Sequence, residues 1–244
     1  MESYFLAPHV YACVTEDHVV LLDLRRDKYV GVSRAQMQTL AARVKGWPLA
    51  PSAANAPGVG DVRSPNARSD AVLAKMLAAG MLTTDAAVGK DAKPLELDRA
   101  EAALVEDDLE VQPAVTFRHV VRFLRASLVA ALEMKWRPIE RVIATACSRK
   151  RRRHAAANAM DLEAARRAVG AFIRLRPLLF GAQDACLFDS LALVRYLSYY
   201  RIFPMCVIGV QTGPFAAHCW VQEGAVVFND APEYVRKYTP ILAV

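Results

Sequence analysis

The segments CLFDSLAL (residues 186–193), FAAHCWV (215–221) and VFND (227–230) decide the fold of the C-terminal half. Apolar residues recur at helical spacing over Cys186–Tyr200, whereas the later runs have the length and composition of strands. The Glu223-Gly224 pair, which separates the last two strand-like runs, is typical of a tight hairpin. These patterns predict a helix that is followed by an antiparallel sheet.

Three residues in these segments fit thiol-based catalysis. Cys186 lies in the first turn of the predicted helix, after the predicted N-cap Asp184, where the helix dipole and free backbone N–H groups favour a thiolate. His218 begins one predicted strand and Asp230 ends the next, so adjacent antiparallel strands would place them side by side. Cys186 is the expected nucleophile, His218 the base and Asp230 the orienting carboxylate. The Cys186 backbone N–H and Gln183 are candidate oxyanion donors.

Each of these residues also has an ordinary structural interpretation. A cysteine at a helix start is more often a small core residue, and a histidine at a strand edge usually has a structural role. Asp230 follows Asn229, and such a pair is common in turns. Catalysis is favoured because all three residues lie where a helix end and a hairpin would converge.

Bulk composition excludes several protein classes. The chain has 244 residues, of which 54% are hydrophobic and 23% charged, as expected of a folded protein with one large or two small domains. It has five cysteines, an odd number, and no CxxC pair. This pattern favours neither a disulfide framework nor a zinc site built from paired thiols. The reducing cytoplasm is therefore the expected location. No secretory signal or membrane-spanning run is visible, so we expect no stable membrane insertion.

The net charge of +6 favours acidic partners without choosing among nucleic acid, anionic membrane and acidic peptide. The basic run Arg149–Arg153 would bind nucleic acid or phosphates, although such runs more often form a solvated face or loop. No GxxxxGK[ST] loop is present.

The N-terminal part reads as three short strands and then helices. Strand-like runs near Val10–Thr15, Val19–Asp23 and Tyr29–Val32 precede Ser33, which is a good helix N-cap with Gln36 three residues later. Residues 48–66 read as a loop, and a second helix follows and ends at Gly80. We predict a domain over residues 1–84, a linker over 85–112 and a second domain over 113–244.

The second predicted domain opens with helices. Apolar residues recur at helical spacing at Val120, Val121, Leu124, Leu128, Ala131 and Leu132. Pro138 opens a second helix over Ile139–Cys147, and Leu162–Leu175 has the pattern of a third.

The C-terminal segments resemble the transglutaminase-like peptidase of lasso-peptide B proteins. That family carries a Cys-Leu helix, an Ile/Val-Gly-Val strand, an Ala-His-x-Trp-Val strand and a terminal Asp, which match Cys186-Leu187, residues 208–210, residues 217–221 and Asp230. The chain departs from it at Asp189-Ser190, where relatives often carry a basic residue at the rim of the site. The resemblance implies a papain/transglutaminase-like fold and a cysteine peptidase.

The N-terminal part is similar to the small chaperone of pyrroloquinoline quinone biosynthesis, a winged-helix domain that holds leader peptides. The resemblance implies an α+β chain with an N-terminal winged-helix leader-recognition domain. The leader would add as a strand to the third strand. The implied binding residues are Lys28, Tyr29, Val30, Gly31 and Val32.

The resemblance implies leader removal from a lasso precursor and transfer of the freed amine to an ATP-using, asparagine-synthetase-like cyclase. No metal or cofactor is expected, although ATP dependence has been linked to some lasso B proteins, and no residue here locates a site for it. Two alternatives stay open. An acyl transferase of the transglutaminase type would use the same three residues, and a winged helix also suits DNA binding. The helix after Ser33 has few base-reading side chains, which disfavours nucleic acid.

Overall fold

The structure, a computed structural model, describes residues 3–16, 18–48, 65–105, 114–154, 161–179 and 186–244. The chain divides into two compact units. The first comprises Met1–Glu96 with Gln211–Pro214, and the second comprises Leu97–Val210 with Phe215–Val244.

The first unit is built on a three-stranded antiparallel sheet in the order β2-β3-β4. Its strands are β2 (Val10–Val14), β3 (Val19–Asp23) and β4 (Lys28–Val32), as the sequence predicts. The central strand β3 is buried along its whole length, whereas β4 is mostly exposed at the edge of the sheet. An exposed edge of this kind leaves backbone groups available for pairing.

Two helices follow the sheet, α1 (Arg34–Arg43) and α2 (Pro65–Ala78). Ser33 and Gln36 form the expected capping box at the start of α1. The apolar face of α1 is buried through Met37, Leu40 and Val44. The winged-helix assignment of this unit stays a prediction.

The stretch predicted as a linker is structured. A small antiparallel sheet pairs β1 (Phe5–Leu6) with β5 (Leu82–Thr83), and Lys90 exchanges two backbone hydrogen bonds of 2.9 Å with Leu6. Ala92 is fully buried. The linker prediction is therefore wrong for residues 85–105, because 85–96 belong to the first unit and 97–105 to the second. Residues 106–112 lie outside the described part.

The second unit packs four helices around an aromatic contact. They are α3 (Phe117–Trp136), α4 (Ile139–His154), α5 (Leu162–Leu175) and α6 (Cys186–Ser198). Phe172 of α5 meets Phe123 of α3 edge to face at 5.3 Å and Tyr196 of α6 at 5.4 Å. Such contacts add to the apolar burial that holds α6 in place.

Helix α4 is longer than predicted, because its backbone continues helical through the basic run to His154. A solvated loop at Arg149–Arg153 is therefore ruled out for the backbone, and the side chains of this run lie outside the description.

A five-stranded sheet completes the second unit in the order β10-β7-β8-β9-β6. Its strands are β6 (Ala102–Ala103), β7 (Met205–Thr212), β8 (Phe215–Glu223), β9 (Val226–Val227) and β10 (Thr239–Ala243). A short helix α7 (Pro232–Val235) connects β9 to β10. The predicted hairpin is confirmed: Gly224 has φ +55° in the tight turn between β8 and β9.

Candidate active site

Cys186 is the first residue of α6 and its side chain is partly buried. A hydrogen bond with His218 is the main cause that lowers the pKa of Cys186, while burial opposes it. Backbone hydrogen bonds with Cys219 and Leu187 lower the pKa further. The environment therefore favours the thiolate, which is the nucleophilic form of cysteine.

His218 lies within β8 and not at its start, which corrects the sequence expectation. Its Nε2 lies 2.6 Å from Oδ2 of Asp230, so the other ring nitrogen, Nδ1, is left for Cys186. Burial alone would lower the pKa of His218, but hydrogen bonds and charge from Asp230 and Cys186 outweigh it and raise the pKa to about 9. The geometry thus favours an imidazolium beside a thiolate.

Asp230 lies in a bend after β9 and before α7. Its second oxygen, Oδ1, accepts the backbone N–H of Ala231 at 2.8 Å, while Oδ2 faces His218. Because both oxygens are engaged, the carboxylate is oriented toward the imidazole. The structure therefore brings together the three residues that the sequence singles out.

Asn229 joins α6, which begins at Cys186, to β8, which carries His218. Its Oδ1 accepts the backbone N–H of Val221 at 2.8 Å. Its Nδ2 donates to Asp189 Oδ2 at 3.1 Å and to Ser190 Oγ at 3.2 Å. Ser190 Oγ in turn donates to the carbonyl of Cys219 at 3.1 Å. A hydrogen-bond network of this kind links α6 to β8 and favours one arrangement of the two elements.

Asp189 and Ser190 are buried, so they do not form the rim of the site as the family resemblance implied. Burial raises the pKa of Asp189, and Arg176, whose Nε lies 3.2 Å from Asp189 Oδ1, opposes that rise. Sequence reasoning missed this network. The signal was the pair of consecutive polar residues inside the otherwise apolar CLFDSLAL segment.

Three aromatic rings surround the imidazole of His218. The ring centroid of Trp220 lies 6.1 Å from that of His218 with the planes 17° apart. The ring centroids of Tyr238 and Tyr234 each lie 5.1 Å from the ring centroid of His218. Tyr238 Oη donates to Tyr234 Oη at 3.1 Å. Tyr234 lies in α7 and Tyr238 follows that helix, and two tyrosines so close in sequence to Asp230 were the available signal.

The C-terminal region matches a known family model. The match covers residues 124–243 and the model describes the transglutaminase-like superfamily. This region carries a transglutaminase-like domain.

A curated relative matches part of the chain. It is the microcin J25-processing protein McjB of Escherichia coli, 44% identical over 59 residues. The matched stretch is 24% of this chain and 28% of that protein, so the similarity spans little more than a quarter of the relative. No solved structure matches the chain.

The other cysteines whose side chains the structure describes are Cys13, Cys206 and Cys219, and all three are buried. Burial raises the pKa of Cys13 to about 12. Cys206 and Cys219 are buried with their sulfur atoms 3.3 Å apart, and Cys206 together with burial raises the pKa of Cys219. The side chain of Cys147 lies outside the description.

Two further site predictions have different outcomes. Gln183, the second oxyanion candidate, and Asp184, the predicted N-cap, lie outside the described residues. Lys28–Val32 form the edge strand β4 of the first unit, with Val30 exposed.

In the described part of the chain, no three His, Cys, Asp or Glu side chains are grouped to hold a metal ion. None of the helices described there is long and apolar enough to cross a membrane.

Proposed function

We propose that this chain is a cysteine peptidase that removes the leader from a lasso-peptide precursor. The observation that carries the proposal is the position of His218, which is hydrogen-bonded to both Cys186 and Asp230. Two comparisons also support this proposal: the similarity to a microcin-processing protein and the match to the transglutaminase-like superfamily.

The proposed reaction proceeds in two steps. The thiolate of Cys186 attacks the scissile carbonyl, and His218 donates its proton to the leaving amine, so that a thioester forms and the C–N bond breaks. Water, deprotonated by His218, then attacks the thioester carbonyl, and Cys186 leaves as the thiolate, which restores the thiolate–imidazolium pair. Asp230 keeps the imidazole oriented and stabilises its charged form. The backbone N–H of Cys186 is the proposed oxyanion donor. These steps need no metal or organic cofactor.

The proposed leader site is the edge strand β4. An extended peptide that pairs with an exposed edge gains affinity from backbone hydrogen bonds and register from alternate side chains. The freed core amine would pass to an asparagine-synthetase-like cyclase, as the family resemblance implies.

Incubation of the full chain with the precursor encoded beside its gene, followed by mass spectrometry, tests the peptidase. We expect one cut that yields a leader ending in a free carboxylate. Cys186→Ala should abolish the cut while leader affinity stays within about twofold, because the thiol is needed for bond cleavage only. Cys13→Ala is the matched control and should cut normally. An amide of an added amine in place of the carboxylate would instead indicate the acyl transferase.

Two single prolines test the leader strand. Successive backbone N–H groups of a strand point to opposite sides, so one of Tyr29→Pro and Val30→Pro removes an N–H on the free edge. That variant should weaken binding of labelled leader on the order of tenfold with little loss of stability, whereas the other should destabilise the sheet. Alkylation of Cys186 serves as the internal control and should not change. If both proline variants bind the leader with unchanged affinity, the leader site does not lie on β4.

A further inference from the structure

Gly209 lies in β7 at a point where no side chain fits. A Cβ atom built there would lie 2.8 Å from Cη2 and from Cζ3 of Trp220, and 3.0 Å from Cβ of Tyr238. These separations are shorter than van der Waals contact between carbon atoms. The φ of Gly209 is not in the left-handed region, so the need for glycine here is one of space and not of backbone conformation.

The indole of Trp220 is not free to move aside. It is buried, and its Nε1 donates to Oε1 of Gln222 at 2.8 Å. Gln222 is itself held, because its Nε2 donates to the carbonyls of Asp98 and Gly224 at 2.7 Å each. A residue larger than glycine at position 209 would therefore displace the ring as a whole or bend β7.

Trp220 and Tyr238, the two residues that a Cβ at Gly209 would meet, also carry rings that flank the imidazole of His218. Trp220 lies nearly parallel to it, and Tyr238 lies tilted at 5.1 Å. The imidazole has its Nε2 on Asp230 and its other side on Cys186, so its rotation is limited by these rings and by both hydrogen bonds. A shift of either ring would leave the imidazole less constrained relative to the thiol.

We propose that Gly209 is a positioning residue, which lets Trp220 and Tyr238 close on β7 and thereby sets the angle of the His218 imidazole toward Cys186. The consequence for leader removal rests on the proposed function. The pairing of His218 with Cys186 can be measured whether or not the chain removes a leader.

The test replaces Gly209 by alanine in the full chain and follows alkylation of Cys186 by iodoacetamide across pH. The thiolate sulfur displaces iodide, so the rate reports the thiolate fraction, and mass spectrometry assigns the label to Cys186. We expect the rate below neutral pH to fall about tenfold, because a displaced imidazolium stabilises the thiolate less. The kcat for leader removal should fall on the order of tenfold to a hundredfold, with KM and leader affinity within about twofold.

A rescue variant separates positioning from general damage. Phenylalanine at position 220 lacks both atoms that lie 2.8 Å from the built Cβ. Gly209→Ala combined with Trp220→Phe should therefore recover the alkylation profile of Trp220→Phe alone. Near-UV circular dichroism checks that each variant is folded.

The outcomes are distinguishable. A folded Gly209→Ala whose alkylation profile and kcat stay within about twofold of wild type would overturn the proposal. If Gly209→Ala does not fold, Tyr238→Leu removes one flanking ring, and an unchanged profile there would also overturn it. A wild-type chain that has acid-reactive Cys186 but does not cut the precursor would contradict the proposed function and leave this inference standing.

Discussion

At the scale of single residues, Asn229 and Asp230 divide two tasks between neighbouring positions. Asp230 holds the imidazole of His218 through Oδ2, whereas Asn229 joins Val221 to the buried Asp189 and Ser190. Asp230 therefore raises the pKa of His218, and Asn229 keeps β8 and α6 together.

The charge on Asp230 should set the alkaline limit of activity. The pKa of His218 is raised from 6.5 to about 9, and the pKa of Cys186 is lowered. The thiolate–imidazolium pair therefore exists at pH values between these two pKa values. Activity should fall as pH rises through about 9, because His218 then loses the proton that the leaving amine needs. Asp230→Asn removes the largest cause that raises this pKa, so the alkaline limit should move downward toward 6.5.

The measurement is kcat/KM for leader removal as a function of pH, which reports the coupled pair in the free enzyme. Glu233→Gln is the matched control, since it removes an exposed carboxylate nearby that pairs with Arg236 and not with His218. An alkaline limit that is the same in wild type and Asp230→Asn would show that Asp230 does not set the charge of the base.

At the scale of elements, α3 turns an unexpected face to the core. Its buried side chains are Phe123, Ala126, Ser127 and Ala130. The apolar stripe predicted from the sequence is mostly outside: Val121, Leu124 and Leu128 are 45%, 47% and 60% exposed. The helix is therefore oriented by the fit of small residues and one phenylalanine against α5 and α6, and not by its most apolar face.

Two truncations on adjacent positions of α3 should differ strongly in stability. Phe123→Ala should lower the free energy of unfolding by about 3–5 kcal/mol, because a fully buried ring leaves a cavity. Leu124→Ala should change it by less than about 0.5 kcal/mol, because that side chain is largely in solvent. Urea unfolding of the full chain, followed by circular dichroism, compares them. Equal losses would mean that the exposed stripe of α3 is covered in solution.

At the scale of the whole molecule, the first unit extends beyond its last helix. Residues after α2 return to the sheet: Lys90 pairs with Leu6, and the backbone N–H of Ala92 donates to the carbonyl of Lys45 at 2.9 Å. The Lys90 side chain also donates to the carbonyl of Pro8 at 2.9 Å and lies 3.3 Å from the ring centroid of Tyr11. The independent unit should therefore end near Glu96 and not at residue 84.

Fragments that end at these two positions test the boundary. The shorter fragment, residues 1–84, lacks the four hydrogen bonds that Lys90 and Ala92 make with the rest of the unit. At roughly 0.5–1.5 kcal/mol net for each of these bonds, a fragment of residues 1–96 should be more stable than the shorter one by about 2–6 kcal/mol. Thermal unfolding of both compares them, and leader binding by the longer fragment follows by fluorescence anisotropy. Equal midpoint temperatures of unfolding for the two fragments would indicate that residues 85–96 are a linker.

Local pattern was sufficient for most of the elements. The strands β2 to β4, the start of α1 at Ser33 and the hairpin at Gly224 follow from short-range rules on alternation, capping and turn chemistry. The residues Cys186, His218 and Asp230 were found in the same way. A helix start and a hairpin end are local features, and their residue types suit one mechanism.

What local pattern did not determine depends on partners distant in sequence. Parallel pairing of β6 with β9, the pairing of Leu6 with Lys90 and the buried Asp189 each require contacts that no neighbouring residue specifies. The buried face of α3 and the place of Gly209 are of the same kind. Periodicity tells that a stripe is apolar, but only the shapes of the surfaces that meet it decide which face is buried and where a side chain has no room.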